Sequence, residues 1–246
     1  NIVFDDDGPD VTLTGNSEPT LEVDETDLTT DASASFAGAF STDFGADGAG
    51  SVAYTLTTAG GVSGLVDTAT GQPVTLSLNG TVVEGRNTDG DLVFTVSVDA
   101  TTGEVTLDQA RAVVHADTND HDDATGLTGS NLISLTATAT DGDGDTDAET
   151  IDLTDNLTFR DDGPSIDAAV TDGDAVVLNT QDAETRGTDT DTSSSLANFS
   201  GAFTVDSFDY GADGAGSIAW DFSLEVTNAV SGLSSDGDPI TLSLTP

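Results

Sequence analysis

Asp141, Asp143, Asp145 and Asp147 alternate with glycine and threonine in the run Ala139-Thr140-Asp141-Gly142-Asp143-Gly144-Asp145-Thr146-Asp147. Four carboxylates on a glycine-rich turn can curl around one hard cation and offer it several oxygens, the ligand set that calcium takes. Without a cation, the same charges repel one another at close range. The same residues also fit a polar hairpin turn built on Asx-type bonds. The alternation is that of an opening EF-hand loop, but the glycine placement and distal glutamate of that motif do not follow.

Two further acidic groups could do related chemistry. Asp117-Thr118-Asn119-Asp120-His121-Asp122-Asp123 is rich in oxygen and carries one imidazole. The chain has only two histidines, His115 and His121, and no cysteine, so a soft transition-metal site is hard to complete and calcium or plain solvation is expected. His115, following Val113-Val114, reads as a strand residue. The other group is a junction that occurs twice, Asp5-Asp6-Asp7-Gly8-Pro9 and Asp161-Asp162-Gly163-Pro164. Proline ends a strand and glycine permits the reversal before it. Acidic residues in such a short connection are placed to share a cation across a joint between two domains.

Catalytic constellations are missing, and no enzyme is expected. There is no G-x-S-x-G elbow and no G-x-x-x-x-G-K phosphate cradle, and lysine is absent. Carboxylates in solvated turns make poor glycosidase acids. Aromatic residues are scarce, and Tyr54 and Trp220 fall at matching strand positions, which reads as core.

The elements that must hold these loops are β-strands. Leu92, Phe94, Val96 and Val98 alternate with Val93, Thr95 and Ser97, and Ile133, Leu135, Ala137 and Ala139 alternate with Ser134, Thr136 and Thr138. Val52-Tyr54-Leu56 and Val74-Leu76-Leu78 have the same period. Turns are marked by Asn79-Gly80, Asp89-Gly90 and Thr102-Gly103. One short helical turn is expected at Leu107–Val113. Many strands without βαβ alternation predict an all-β chain of sandwich type.

The chain carries 46 acidic residues against four arginines, a net charge of −42. That excludes a nucleic-acid or anionic-membrane surface, which needs clustered basic residues. Of the acids, 38 are Asp and eight are Glu, a bias toward the residue of turns and hard-metal sites. Disorder fits poorly with 35% hydrophobic residues in regular alternation. Salt adaptation is the competing reading of the charge, but it does not predict Asp clustered with Gly at particular loops. With no cysteine, a metal is the expected clamp. No run approaches transmembrane length, so no membrane insertion is expected, and Asn1 opens directly on a strand-like run, as in a piece of a longer protein.

The sequence repeats itself. Asp6–Pro9 returns at Asp161–Pro164, and Asp43-Phe44-Gly45-Ala46-Asp47-Gly48-Ala49-Gly50-Ser51 returns as Asp209-Tyr210-Gly211-Ala212-Asp213-Gly214-Ala215-Gly216-Ser217. Gly71–Leu78 matches Gly237–Leu244, and Phe36–Phe40 matches Phe199–Phe203. The offset grows from 155 to 166 positions, which places about eleven extra residues between Pro164 and Asp209, with the Asp/Thr/Ser-rich stretch Thr180–Ser195 the expected location. The organisation expected is the end of a preceding repeat at 1–9, a complete sandwich repeat at 10–160, an acidic linker at 161–164 and a partial second repeat at 165–246. Lacking its closing strands, the second copy should be marginal alone.

The string from Val93 to Asp123, VFTVSVDATTGEVTLDQARAVVHADTNDHDD, is followed by LISLTATATDGDGDTDAETIDL and then by DDGP. These resemble the type I secretion target repeats of giant RTX-type bacterial adhesins and agglutinins. The chain is also similar, more distantly, to cadherin-type domains. That likeness implies tandem immunoglobulin-like or cadherin-like β-sandwich repeats with calcium (Ca2+) between them. On it, Glu25 stands for the strand glutamate and Leu107-Asp108 for the L-D-R-E turn. Asp43/Asp47 or Asp209/Asp213 stand for the D-x-D loop, and Asp161/Asp162 for the linker. The chain departs where Gln109 and Ala110 replace the Arg-Glu and where the D-x-D is spread wider. Taken together, Asp5, Asp6, Asp7, Asp43, Asp47, Asp108, Asp141, Asp143, Asp145, Asp147, Asp161, Asp162, Asp209 and Asp213 are the candidate metal ligands. The resemblance implies a secreted or surface-displayed extender whose partners are neighbouring repeats of the same chain. Surface glycans or proteins would be reached through other domains, or, on the alternative reading, through this module itself.

Overall fold

The computed structural model describes residues 2, 7–48, 50–171, 176–178 and 197–244. Asp5, Asp6 and the Thr180–Ser195 stretch lie outside the described residues. Among the described residues there are eighteen strands and no α-helix, so the fold is all-β, of sandwich type. The chain divides into two compact units, residues 1–214 and 215–246.

In the first unit the largest sheet contains β3 (Ala32–Ser35), β6 (Gly61–Asp67), β7 (Gln72–Asn79), β8 (Val82–Arg86), β9 (Leu92–Val98) and β10 (Glu104–Gln109). Their order is β3-β10-β9-β8-β7-β6, with every neighbouring pair antiparallel. Among the described residues four smaller sheets accompany it, three of them built from residues 10–160. One pairs β1 (Asp10–Leu13) with β4 (Phe40–Asp43), and one sets β12 (Ile133–Thr140) between β13 (Thr146–Asp152) and β5 (Ser51–Thr58). The third places β14 (Leu157–Arg160) between β11 (Ala124–Gly126) and β2 (Leu21–Asp24). The β2–β14 pairing is parallel.

One core joins these sheets, and it draws buried residues from Val11 through Phe159. The alternation read in the sequence is its cause. Ile133, Leu135, Ala137 and Ala139 of β12 are wholly buried, and the serine and threonines between them are half-buried. Phe94 and Phe159 meet edge to face at 5.3 Å. The helical turn expected at Leu107–Val113 is not formed. Glu104–Gln109 is instead strand β10, with Leu107 opposite both Ala32 and Val96. Ladders on both sides satisfy its backbone, and the residues after it are irregular, touching the sheet through an isolated Asp67–Val113 bridge.

Between Asp67 and Val113 lies a buried ionic knot. Asp67 accepts from Nε and Nη2 of Arg111, both at 3.0 Å, from Thr70 and from Asn87. Burial pushes this carboxyl up, but the Arg111 hydrogen bonds and charge, with Thr70 and Asn87, outweigh it and hold the pKa at about 2.

The repeated residues form repeated local structure. In the first unit β15 (Ser165–Val170) pairs with β16 (Phe203–Asp209), Ser165 opposite Asp209, as Asp10 stands opposite Asp43. The Thr171 amide donates to Ala202 as the Thr14 amide donates to Ala39, each at 2.9 Å. In the second unit β17 (Val230–Ser235) pairs with β18 (Asp238–Thr241). Its Ser231 Oγ donates to the Ile240 carbonyl and accepts from the Leu233 amide. Ser63 does the same with Val74 and Leu65. Trp220 does not match Tyr54 in burial: Tyr54 is 7% exposed and Trp220 is 45% exposed.

Candidate metal centres

Among the described residues two groups of acidic and histidine side chains converge in the first unit, each at the end of a strand ladder. The first is built by the β5–β12 pairing. Its last register is Thr140 opposite Ser51, so Asp141 emerges beside the loop that precedes β5. The two loops interlock through glycine: a Cβ on Gly50 would lie 1.7 Å from the Thr140 carbonyl oxygen, and one on Gly142 would lie 2.4 Å from that of Asp47. Only a residue without a side chain permits that approach. As a result Asp47, Asp141 and Asp143 bring donor oxygens within 4.8 Å of one another.

Asp141 is the buried member, at 5% exposure. Its Oδ1 accepts from the amides of Gly144 and Asp145, at 3.0 and 2.8 Å, while Oδ2 is buried without a hydrogen-bond partner. Burial pushes the Asp141 carboxyl up, but the Gly144 and Asp145 amides together with Asp143 outweigh it, and the group stays below the usual aspartate range. It is a buried carboxylate held in its charged form.

The remaining acids of the run have other tasks. Asp147 accepts from the Val11 amide at 2.7 Å and ties β13 to β1. Asp145 offers its own backbone carbonyl to the Asp141 amide, and its side chain lies 3.7 Å from where a Cβ on Gly8 would sit. Asp7 accepts from the Ala46 amide at 3.0 Å, and Asp162 accepts from the Ala212 amide at 3.1 Å. Asp43 and Asp209 each accept from the amide two residues on, Gly45 and Gly211, both at 3.1 Å. The junction therefore docks on the following Asp/Gly loop in the same way at both copies.

The second group is built by the β2–β14 pairing. Because β2 and β14 run parallel with Asp24 opposite Arg160, the next residues, Glu25 and Asp161, leave the sheet side by side. His115 reaches them from the irregular segment after β10, and the three place donor atoms within 4.8 Å of one another. His115 is thus not a strand residue, contrary to its reading in the sequence. Its side chain is 3% exposed and that of Glu25 is wholly buried.

Glu25 Oε1 receives the Val113 amide at 2.9 Å, the Gln109 side-chain amide at 2.8 Å and His115 Nε2 at 3.3 Å. Its Oε2 and the Nδ1 of His115 are buried with no partner. Burial raises the Glu25 carboxyl, and the bonds from Val113, Gln109 and His115 only partly offset the rise.

The Asp117–Asp123 loop lies beside this group. Asp123 accepts from the amides of Ala116 and Asp117, and the Asp161 amide donates to the Asp123 carbonyl. A Cβ on Gly163 would fall 2.1 Å from the His121 ring, so the imidazole lies directly on the linker. A cavity of about 310 Å³ opens there, lined by Thr68, His115, His121, Asp161 and Asp213 among others. Asp108 stands on β10 outside both groups. Burial, and then the charge of Asp31, push its carboxyl up.

The match to known families falls on the segment that contains most of these residues. A family model described as a domain of unknown function, DUF5801, matches residues 20–154. The chain belongs to the DUF5801 family. The matched DUF5801 segment holds Glu25, Asp47, His115, Asp141 and Asp143, whereas Asp7, Asp161 and Asp162 flank it. No curated protein and no solved structure matches the chain. No helix among the described residues is long and apolar enough to cross a membrane.

Proposed function

We propose that this chain is a calcium-stabilised extender repeat of a large secreted or surface-displayed bacterial adhesin. Its work is then mechanical, giving rigidity and reach, and not catalytic. The observation that carries the calcium part is the orphaned Oδ2 of Asp141, buried beside Asp47 and Asp143. A buried carboxylate oxygen that keeps its charge but finds no partner is costly, and two more carboxylates beside it raise the cost. A hard cation with oxygen ligands removes the penalty.

Asp47, Asp141 and Asp143 would hold the ion, with Asp7 and Asp145 close by at the junction. The role follows from position. Asp7 and Asp162 each bond to the loop of the copy that follows, so an ion in that loop stiffens the joint as well as the domain. The word adhesin rests on the resemblance to type I secretion target repeats.

Thermal melts of the whole chain in EDTA, magnesium and calcium test this reading. With free calcium at ten times Kd, one site adds about 1.4 kcal/mol. Asp141→Asn should abolish most of that gain while melting near the parent in EDTA. Equal melting in EDTA and calcium overturns the calcium reading and leaves the acidity as a feature of the solvated surface.

A further inference from the structure

We propose that Glu25, His115 and Asp161 form a separate site for a first-row transition-metal ion of the zinc class. The orphaned atoms Glu25 Oε2 and His115 Nδ1 belong to two side chains that are almost fully buried, and they are as unsatisfied as Asp141 Oδ2. The donor set here is different, however. One imidazole and two carboxylates are what zinc, nickel or cobalt bind, with zinc–ligand bonds of about 2.0–2.2 Å. Calcium takes six to eight oxygens, and Glu25 Oε1 is already engaged by the Val113 amide, the Gln109 amide and His115 Nε2.

The surroundings fit a metal centre. A ligand carboxylate held by outer hydrogen bonds is the usual second layer of such sites, and Gln109 and Val113 supply it for Glu25. The cavity beside His115 and Asp161, which His121 and Asp213 also line, gives an ion a way in. Donor atoms up to 4.8 Å apart must close somewhat around a tetrahedral ion. Asp161, on the linker, is the ligand free to move: only its backbone and Oδ1 are tied, to Asp123 and the Asp162 amide. An ion there would bind the linker to the core, so the repeat would carry different metals at its two sites.

The test uses the whole chain, stripped with chelator and titrated with Co2+ and then Zn2+ in a background of millimolar calcium. The calcium occupies the surface carboxylates that would otherwise bind cobalt weakly. One Co2+ per chain is expected, with the visible absorption of a low-coordinate nitrogen–oxygen site, displaced by Zn2+. His115→Gln should weaken it by more than roughly 100-fold, beyond what losing an outer-layer partner does. Asp161→Asn, on the partly exposed linker, supplies the same readout if His115→Gln fails to melt like the parent in chelator. Cobalt binding that calcium abolishes, or that survives unchanged in whichever variant stays folded, overturns the proposal. Calcium dependence of the melt is read separately, so this site can fail while the calcium reading stands.

Discussion

The same sequence pattern occurs twice in this chain and meets two different surroundings. Val62-Ser63-Gly64-Leu65 and Val230-Ser231-Gly232-Leu233 make the same serine-bonded irregularity in a hairpin. Yet Leu65 is 2% exposed and Leu233 is 67% exposed. Ser51–Thr58 is strand β5, whereas its counterpart at 217–224 has no strand. The reason is pairing. Among the described residues β5 pairs with β12, whereas residues 217–224 pair with no strand. Hairpins and turns close over a few residues and form wherever their residues occur. Burial and the ladders of distant strands need the other half of the repeat.

The strongest way to break this comparison is a matched truncation in the two copies. Leu65→Ala should cost about 2–5 kcal/mol in chemical denaturation, the range for emptying a packed core site. Leu233→Ala should change stability by no more than about 0.5 kcal/mol. Equal costs would mean that the second copy is packed as the first is.

A smaller effect comes from acid. Position 67 is aspartate in the first copy, and its counterpart is Ser235. The folded pKa of Asp67, about 2 against an ordinary 3.8, lies below the unfolded value. The group therefore contributes stability above pH 4, and that contribution is lost as the pH falls toward 2. The difference corresponds to about 2 kcal/mol. Denaturation at pH 4 and at pH 2 should show this loss in the parent and not in Asp67→Asn.

The smallest expected effect sharpens what the copies share. Asp7→Ala and Asp162→Ala each remove one bond to the loop amides of Ala46 and Ala212. Each should cost about 1 kcal/mol or less, read as faster amide exchange confined to the loop that follows. Different outcomes for the two would show that the joints are not equivalent.

The period-two strands, the Gly-marked hairpins and the Asx turns at Asp43 and Asp209 were legible in the sequence. Each depends on alternation, or on bonds between residues two or three apart. The helical turn at Leu107–Val113 was misread because β3, which holds one side of β10, lies far back in the chain at Ala32–Ser35. Trp220 was misread for the complementary reason, since strand pattern does not reveal whether a facing strand exists. Of the candidate ligands, the acidic run led to Asp141 and Asp143, and the loop repeat led to Asp47. His115 had no local signal, because its burial depends on where β2 and β14 end.

By itself, then, the sequence determined the all-β class, the repeat, the local turns and the surplus of hard oxygen ligands. Those are properties of residue type and short spacing. Only the tertiary structure decided which acids meet. Asp141 joins Asp47 through the last register of an antiparallel ladder, and Asp161 reaches Glu25 through a parallel one that spans 136 positions of chain. Such registers are chosen by the burial of whole strand faces, so no pattern near either residue could announce them.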